Sequence, residues 1–127
     1  MRRLIALTLA ATATLAAAAP SGDAAKLDKA LAGRVAGKPE SCVTLRDIQS
    51  TATFSDPDTI LYRMRSGVRY VNRPAGGCGL RGDPIIVSST PSTRICRGDI
   101  ITLVDRTSRF QVGGCGLGDF VPYVKAK

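Results

Sequence analysis

The side chains that could do chemistry in this chain are carboxylates, arginines and cysteines, because the sequence contains no histidine. Histidine is the commonest general base at neutral pH and the commonest metal ligand. A hydrolase could still use two carboxylates placed across a scissile bond. The candidates for such a pair are Asp56, Asp58, Asp83, Asp99 and Asp119. Aspartate beside glycine or proline is also ordinary turn chemistry, so we expect structural acids and no enzyme.

Cysteine is the second reactive residue type. The four cysteines are Cys42, Cys78, Cys96 and Cys115. Structural zinc sites bring cysteines as pairs separated by two to four residues, whereas the nearest pair here is eighteen positions apart. The sequence therefore predicts two disulfides, with no metal and no cofactor. Of the three possible pairings, short loop closure favours Cys42 with Cys78 and Cys96 with Cys115.

A short glycine-rich string accompanies two of these cysteines. The sequence GGCGL occurs at residues 76–80 and again at residues 113–117. Successive glycine amides could form a backbone nest that holds an anion. Glycines beside a cysteine also let the backbone bend to meet disulfide geometry, and this structural role is the one we expect.

The arginines include a basic group interleaved with tyrosines in residues 60–73. The candidate binding surface consists of Arg63, Arg65, Arg69, Tyr70 and Arg73. Guanidinium groups bind phosphate and carboxylate bidentately, so an envelope polyanion or an acidic protein is the expected partner. Nucleic acid is an unlikely partner outside the cytoplasm. The alternative is that a soluble hairpin simply keeps its outer face charged.

The N-terminus has the pattern of a secretory leader. Arg2 and Arg3 precede an apolar run over residues 4–15 and an alanine tract that ends before Pro20. This pattern predicts a signal peptide over residues 1–18, removed in the mature protein. A membrane-spanning helix needs about 20 apolar residues, so no transmembrane anchor is expected after cleavage. The expected location is periplasmic or secreted, where cysteines are oxidised.

Two further segments follow the leader. Residues 19–39 are predicted as an N-terminal helix or arm, with Leu27, Leu31 and Val35 at helical spacing over residues 24–35. Residues 40–127 are predicted as one disulfide-stapled β domain. Its candidate strands are residues 42–45, 51–54, 59–64, 68–72, 84–88, 100–104, 109–112 and 120–124. Short β-rich runs between turn residues indicate a mainly β fold, a small barrel or sandwich of antiparallel strands.

Three motifs in combination resemble a group of short exported bacterial proteins of uncharacterised function. They are YVNRP at residues 70–74 ahead of Gly77 and Cys78, CRGDI at residues 96–100, and CGLGDFVPY at residues 115–123. The resemblance covers about residues 31–123. It implies export, bacterial origin and a four-cysteine scaffold, and it brings no activity or site residue.

These features predict a non-enzymatic binding or structural module of the cell envelope that contacts acidic ligands through the basic hairpin. The alternative is an inhibitor of an extracellular hydrolase, because rigid disulfide-held loops lose little entropy on docking. Residues 56–58 or the turn at Arg97 would then be the projecting loop. A hydrolase that uses carboxylates alone is the third hypothesis.

Overall fold

The computed structural model describes residues 13, 15, 22–55 and 57–127, so Asp56 and most of the predicted signal peptide lie outside the described residues. One helix, α1, covers Gly22–Ala30. The strands are β1 (Arg34–Ala36), β2 (Cys42–Thr44), β3 (Ile48–Phe54), β4 (Thr59–Met64), β5 (Arg69–Asn72), β6 (Ile85–Ser88), β7 (Arg94–Cys96), β8 (Ile100–Val104), β9 (Gln111–Gly116) and β10 (Phe120–Lys125). A short 3₁₀ turn, Leu45–Asp47, joins β2 to β3.

The fold is mainly β with antiparallel sheets, one short helix near the N-terminus and two disulfides, which confirms the predicted fold class. The largest sheet has five strands in the order β1-β10-β5-β4-β3. A two-stranded sheet pairs β2 with β7, and a three-stranded sheet has the order β6-β8-β9.

The five-stranded sheet is covered on both faces. Ile60, Tyr62 and Met64 belong to the larger core cluster, which also contains residues of the two small sheets such as Ile95 and Ile101. A second cluster on the opposite face joins Leu27, Phe54, Leu61 and Val71. Alternate side chains of β4 therefore belong to two different cores, one beneath the small sheets and one beneath α1.

Tyr62 lies in the larger core with its ring tilted against Phe120, the ring centroids 5.5 Å apart. Its side chain is 2% exposed, and the hydroxyl has no hydrogen-bond partner among the described residues. Burial raises the pKa of this phenol, so the group stays neutral throughout the ordinary pH range.

Helix α1 is shorter than the predicted residues 24–35. Asp23 in its first turn accepts hydrogen bonds from the main-chain N–H and the hydroxyl of Ser55, at 2.9 and 2.7 Å, which fixes the helix start to the end of β3. Gly33 takes a φ of 71°, a conformation that ends the helical path. The chain then enters β1, so the prediction that residues 34 and 35 are helical was wrong.

The sequence predicts a hairpin over residues 60–71, with alternating side chains on both sides of a turn at residues 65–67, and the structure confirms it. Strand β4 pairs with β5 from Ile60 opposite Asn72 to Arg63 opposite Arg69, and the turn lies at residues 65–67. The sequence missed β7, a strand of three residues with a single buried side chain, Ile95. Strand β9 also extends to Gly116, four residues beyond the predicted segment 109–112.

The predicted disulfide pairing was wrong, because the bonds join Cys42 to Cys96 and Cys78 to Cys115. Cys42 lies directly opposite Cys96 in the β2–β7 pair. The second bond ties the loop after β5 to β9. Doubling a loop costs only about 0.6 kcal/mol of closure entropy, so strand pairing outweighs loop length in choosing partners.

Alanine at both Cys42 and Cys96 should lower the free energy of unfolding by about 2–5 kcal/mol, the usual effect of losing a native disulfide. The Cys78/Cys115 double variant should lose a similar amount, since the two bonds close loops of similar length. Urea denaturation of the oxidised proteins measures both losses. A non-reducing peptide map that links Cys42 to Cys78 would contradict the assignment.

Candidate functional site

Four cations gather on the face of the five-stranded sheet that carries α1, beyond the end of the helix. Arg63 lies directly opposite Arg69 across β4 and β5. Arg69 in turn lies opposite Tyr123 of β10, and two residues further along that strand Lys125 lies opposite Arg34. Residues two apart on a strand share a face. We call Arg34, Arg63, Arg69 and Lys125 the basic cluster.

Main-chain carbonyl groups hold two members of the basic cluster in place. The Arg69 guanidinium donates to the carbonyl oxygen of Ala30, the last residue of α1. A cation is favourable there because the helix C-terminus carries partial negative charge. The Arg34 guanidinium donates to the carbonyl oxygens of Gly67 and Tyr123 at 2.9 and 3.3 Å. These contacts fix the guanidiniums without neutralising their charge.

The positive charge of the basic cluster is not balanced by acids. Among residues 22–55 and 57–127, no carboxylate forms a salt bridge with any of its four members. Desolvation, together with the charge of Arg69, lowers the pKa of Arg34. Like charges directly opposite each other on neighbouring strands destabilise a sheet. The arrangement therefore leaves a local excess of positive potential that an anion would relieve.

The structure separates the five residues predicted as one surface. Arg63 and Arg69 lie together in the basic cluster. Tyr70 points to the opposite face, where its ring meets Phe120 edge-on with centroids 6.4 Å apart. Arg65 follows β4 in the turn and donates through Nε to the Arg46 carbonyl at 3.1 Å.

Arg73, the fifth predicted residue, is exposed just past the other end of β5. Sequence reasoning also missed two members of the basic cluster. It placed Arg34 in a helix, and Lys125 one residue beyond the last predicted strand. Their position in the cluster depends on the pairing of β1 with β10, for which the sequence carries no visible signal.

Arg65 and Tyr70 line a polar cleft of about 440 Å³ on that opposite face. The other polar side chains of the cleft are Glu40, Thr44, Asp47, Ser66 and Arg94. Burial and the neighbouring carboxylate of Glu40 raise the pKa of Tyr70 to about 12. The phenol is therefore neutral at physiological pH.

The first glycine-rich string forms the backbone nest that its sequence allowed, and an acid of the same chain fills it. The Asp58 carboxylate accepts the main-chain N–H groups of Cys78, Gly79 and Leu80 at 2.6, 2.7 and 3.2 Å. Although desolvation acts in the opposite direction, these three donors and Arg81 leave the pKa of Asp58 below its ordinary value. The Asp58 carboxylate thus occupies the nest and connects two loops of the chain, which leaves no room for an external anion.

The second glycine-rich string has a different structure, because residues 113–116 belong to strand β9. Gly114 lies against the neighbouring strand, where a Cβ would come within 2.9 Å of the Ile101 carbonyl oxygen. Gly76, Gly77 and Gly79 of the first string instead have positive φ angles. The repeated sequence is therefore not a repeated structure.

The other described carboxylates considered for catalysis each contact another group of the chain. Asp83 accepts from the Thr53 hydroxyl at 2.8 Å and pairs with Arg106. Asp99 accepts the main-chain N–H of Cys96 at 2.7 Å. Asp119 pairs with Arg97 at 2.9 Å. The contact of Asp99 is a turn contact of the predicted kind, whereas Asp83 and Asp119 connect segments that are distant in sequence.

The described residues offer neither a metal-binding group nor a membrane-spanning helix. In residues 22–55 and 57–127 no three His, Cys, Asp or Glu side chains are grouped so that they could hold a metal ion. No helix in that part of the chain is both long enough and apolar enough to cross a membrane. The two disulfides indicate an oxidising, non-cytoplasmic environment.

Comparison of the chain with protein-family models, with curated proteins and with solved structures finds no match. The basic cluster and the polar cleft are therefore interpreted from their own geometry and charge.

Asparagine at position 58 should lower the free energy of unfolding by about 1–3 kcal/mol, because the nest amides lose a charged acceptor. The folded-state pKa of Asp58 is depressed, so its stabilisation is present above the unfolded-state value and is lost as pH falls through the folded-state value. Urea denaturation between pH 7 and pH 2 should show a weaker pH dependence in Asp58→Asn. The control is Asp28→Asn, at an exposed helix position; matching curves for the two variants would refute this role.

Glutamine at position 63 should raise the stability of the protein at low salt by about 0.2–1 kcal/mol, because it removes one of two opposed like charges. The gain should shrink as ionic strength rises, since salt screens the repulsion. Thermal or urea denaturation at several salt concentrations measures it. Arg73→Gln, at an exposed position outside the basic cluster, should have little effect. A loss of stability in Arg63→Gln at every salt concentration would show that the two arginines do not repel.

Proposed function

We propose that the protein is a non-enzymatic binding module of the cell envelope, periplasmic or secreted, and that the basic cluster binds a phosphate- or carboxylate-bearing polyanion or an acidic protein. The observation that carries the proposal is the opposed pair Arg63 and Arg69 on one sheet face, with no acid paired to either among the described residues. An external anion would turn this repulsion into two charge-assisted contacts.

The basic cluster is suited to a ligand with several charges. Its four cations lie on four neighbouring strands of one sheet, β1, β10, β5 and β4. Arg34 and Arg69 are held by carbonyl groups, so their side-chain entropy is already reduced before a ligand arrives. The planar guanidinium fork then matches the oxygens of phosphate and carboxylate groups. A flexible polyanion can bridge such points without a deep pocket.

The inhibitor alternative has less support from the loops that it would need. Asp58, which follows the proposed projecting turn, is bonded to three backbone amides of another loop. The Arg97 side chain is paired with Asp119. Both groups are engaged within the chain, whereas the basic cluster keeps its charge available to a ligand.

Glutamate at both Arg63 and Lys125 tests the proposal. Neither side chain forms a hydrogen bond or ion pair with another described residue, so the double variant should keep its fold. Its affinity for immobilised polyphosphate and polyglutamate should fall at least about tenfold, because each basic residue near an anionic surface contributes about 1 kcal/mol. The salt concentration that elutes each protein gives the comparison, and the two polymers distinguish phosphate from carboxylate preference.

The matched control is Arg73→Glu with Arg109→Glu, which makes the same change in net charge at exposed positions outside the basic cluster. This control should retain most of the binding. If both double variants lose binding equally, the attraction depends on net charge alone and the proposed site is wrong. If neither loses binding, the basic cluster does not contact the polymer.

A further inference from the structure

The polar cleft runs along an unpaired strand edge. On one side it is lined by the three consecutive residues of β2, Cys42–Thr44, and on the other by Met64, Arg65, Ser66 and Tyr70. Strand β2 has only one ladder partner among the described residues, β7. A three-residue edge spans about 10 Å, and a cavity of about 440 Å³ is within the usual range of ligand pockets.

The hydrogen-bond pattern shows which main-chain groups of β2 are unpaired. The Arg97 N–H donates to the Ser41 carbonyl at 2.7 Å, and the Leu45 N–H donates to the Thr93 carbonyl at 3.0 Å. In an antiparallel pair, hydrogen-bonded and non-hydrogen-bonded residue pairs alternate. Cys42 and Thr44 therefore direct their N–H and C=O groups away from β7. The Thr44 carbonyl accepts the first hydrogen bond of the 3₁₀ turn Leu45–Asp47. Among the described residues no other hydrogen bond reaches the N–H and C=O of Cys42 or the N–H of Thr44.

The charged side chains of the cleft are two carboxylates, Glu40 and Asp47, and two guanidiniums, Arg65 and Arg94. The Glu40 carboxylate lies near the Tyr70 hydroxyl, and Asp47 lies 3.9 Å from the Arg46 guanidinium. The Arg94 guanidinium has no hydrogen bond or ion pair with another described residue. Arg65 uses Nε on a carbonyl and keeps its terminal N–H groups. The cleft thus combines an open strand edge with two available guanidinium groups.

We propose that this cleft binds an extended peptide segment of a partner protein by strand addition to β2, with a carboxylate of the peptide held by Arg65 and Arg94. The N–H and C=O of Cys42 and the N–H of Thr44 provide the backbone pairing, which accepts many sequences. The carboxylate provides selectivity, and it belongs either to an acidic side chain or to the peptide C-terminus. This site is on the opposite sheet face from the basic cluster and does not depend on the function proposed for that cluster.

The first test is selection of random hexapeptides, displayed with free C-termini, on the oxidised mature protein. Selected peptides should carry an acidic residue or require their terminal carboxylate, and amidated copies distinguish the two. Their affinity for Arg94→Glu should fall at least about tenfold, the usual effect of losing a buried charge partner at an interface. Binding should shift the NMR amide signals of Cys42 and Thr44 and slow their hydrogen exchange.

A second test changes only the strand edge. Thr44 has a φ of −83°, close to the value fixed by proline, and its N–H lies outside the ladder, so Thr44→Pro should fold normally while losing one pairing donor. Thr44→Ala is the matched control that keeps the N–H. Peptide affinity should fall in Thr44→Pro and persist in Thr44→Ala. Peptides N-methylated at central residues repeat the test without any change to the protein.

Three results would overturn the proposal. The first is that the oxidised protein selects no peptide more strongly than the reduced, unfolded protein does. The second is equal affinity of the selected peptides for the wild type and Arg94→Glu. The third is undiminished binding of N-methylated peptides. Arg63→Glu with Lys125→Glu should leave peptide binding intact, which separates failure of the cleft from failure of the basic cluster.

Discussion

Burial of strand β4 on both faces determines where the other layers lie. Ile60 and Tyr62 need cover from the small sheets, and Leu61 needs cover from α1, because a strand that is apolar on both faces must be central in a layered fold. A nine-residue helix extends only about 13 Å, so it covers one part of its sheet face. Arg63 and Arg69 lie on the part of this face that α1 does not cover, which explains why charged side chains occur on a central hairpin.

Polar contacts and disulfides then lock the small sheets against this hairpin. The Asn72 side chain is fully buried and forms two hydrogen bonds with the main chain of Gly118, at 2.8 and 2.9 Å. Asp58 holds the loop of Cys78, and that loop is covalently bonded to β9. A Cβ at Gly118 would overlap the Arg73 carbonyl oxygen, so glycine is required at this crossing. The NRP and CGLG parts of the chain therefore meet in space.

Local patterns predicted the elements whose signals are local. Alternation over residues 60–64 and a glycine turn predicted the β4–β5 hairpin. The register of that hairpin alone would have placed Arg63 opposite Arg69. Helical spacing misplaced Arg34, because Gly33 ends the helix and the pairing of β1 with β10 spans most of the chain. The disulfide pairing depends on β7, whose three residues carry almost no pattern. Both sites were predicted incompletely because they depend on pairing between strands that are distant in sequence, which local secondary-structure propensities do not reveal.

The basic cluster and the polar cleft each keep groups that cost stability, opposed arginines in the first and unpaired main-chain groups in the second. In the basic cluster, opposed arginines remain at a position where a neutral side chain would relieve repulsion, so selection for folding alone does not account for them. In the cleft, β2 keeps N–H and C=O groups open beside Arg94, although a paired edge would be safer against aggregation. The nest at Cys78 shows the opposite outcome, since the chain supplies its own anion through Asp58. The fold thus fills one anion site internally and leaves cations and a strand edge without partners among the described residues elsewhere, and the two proposals rest on that difference.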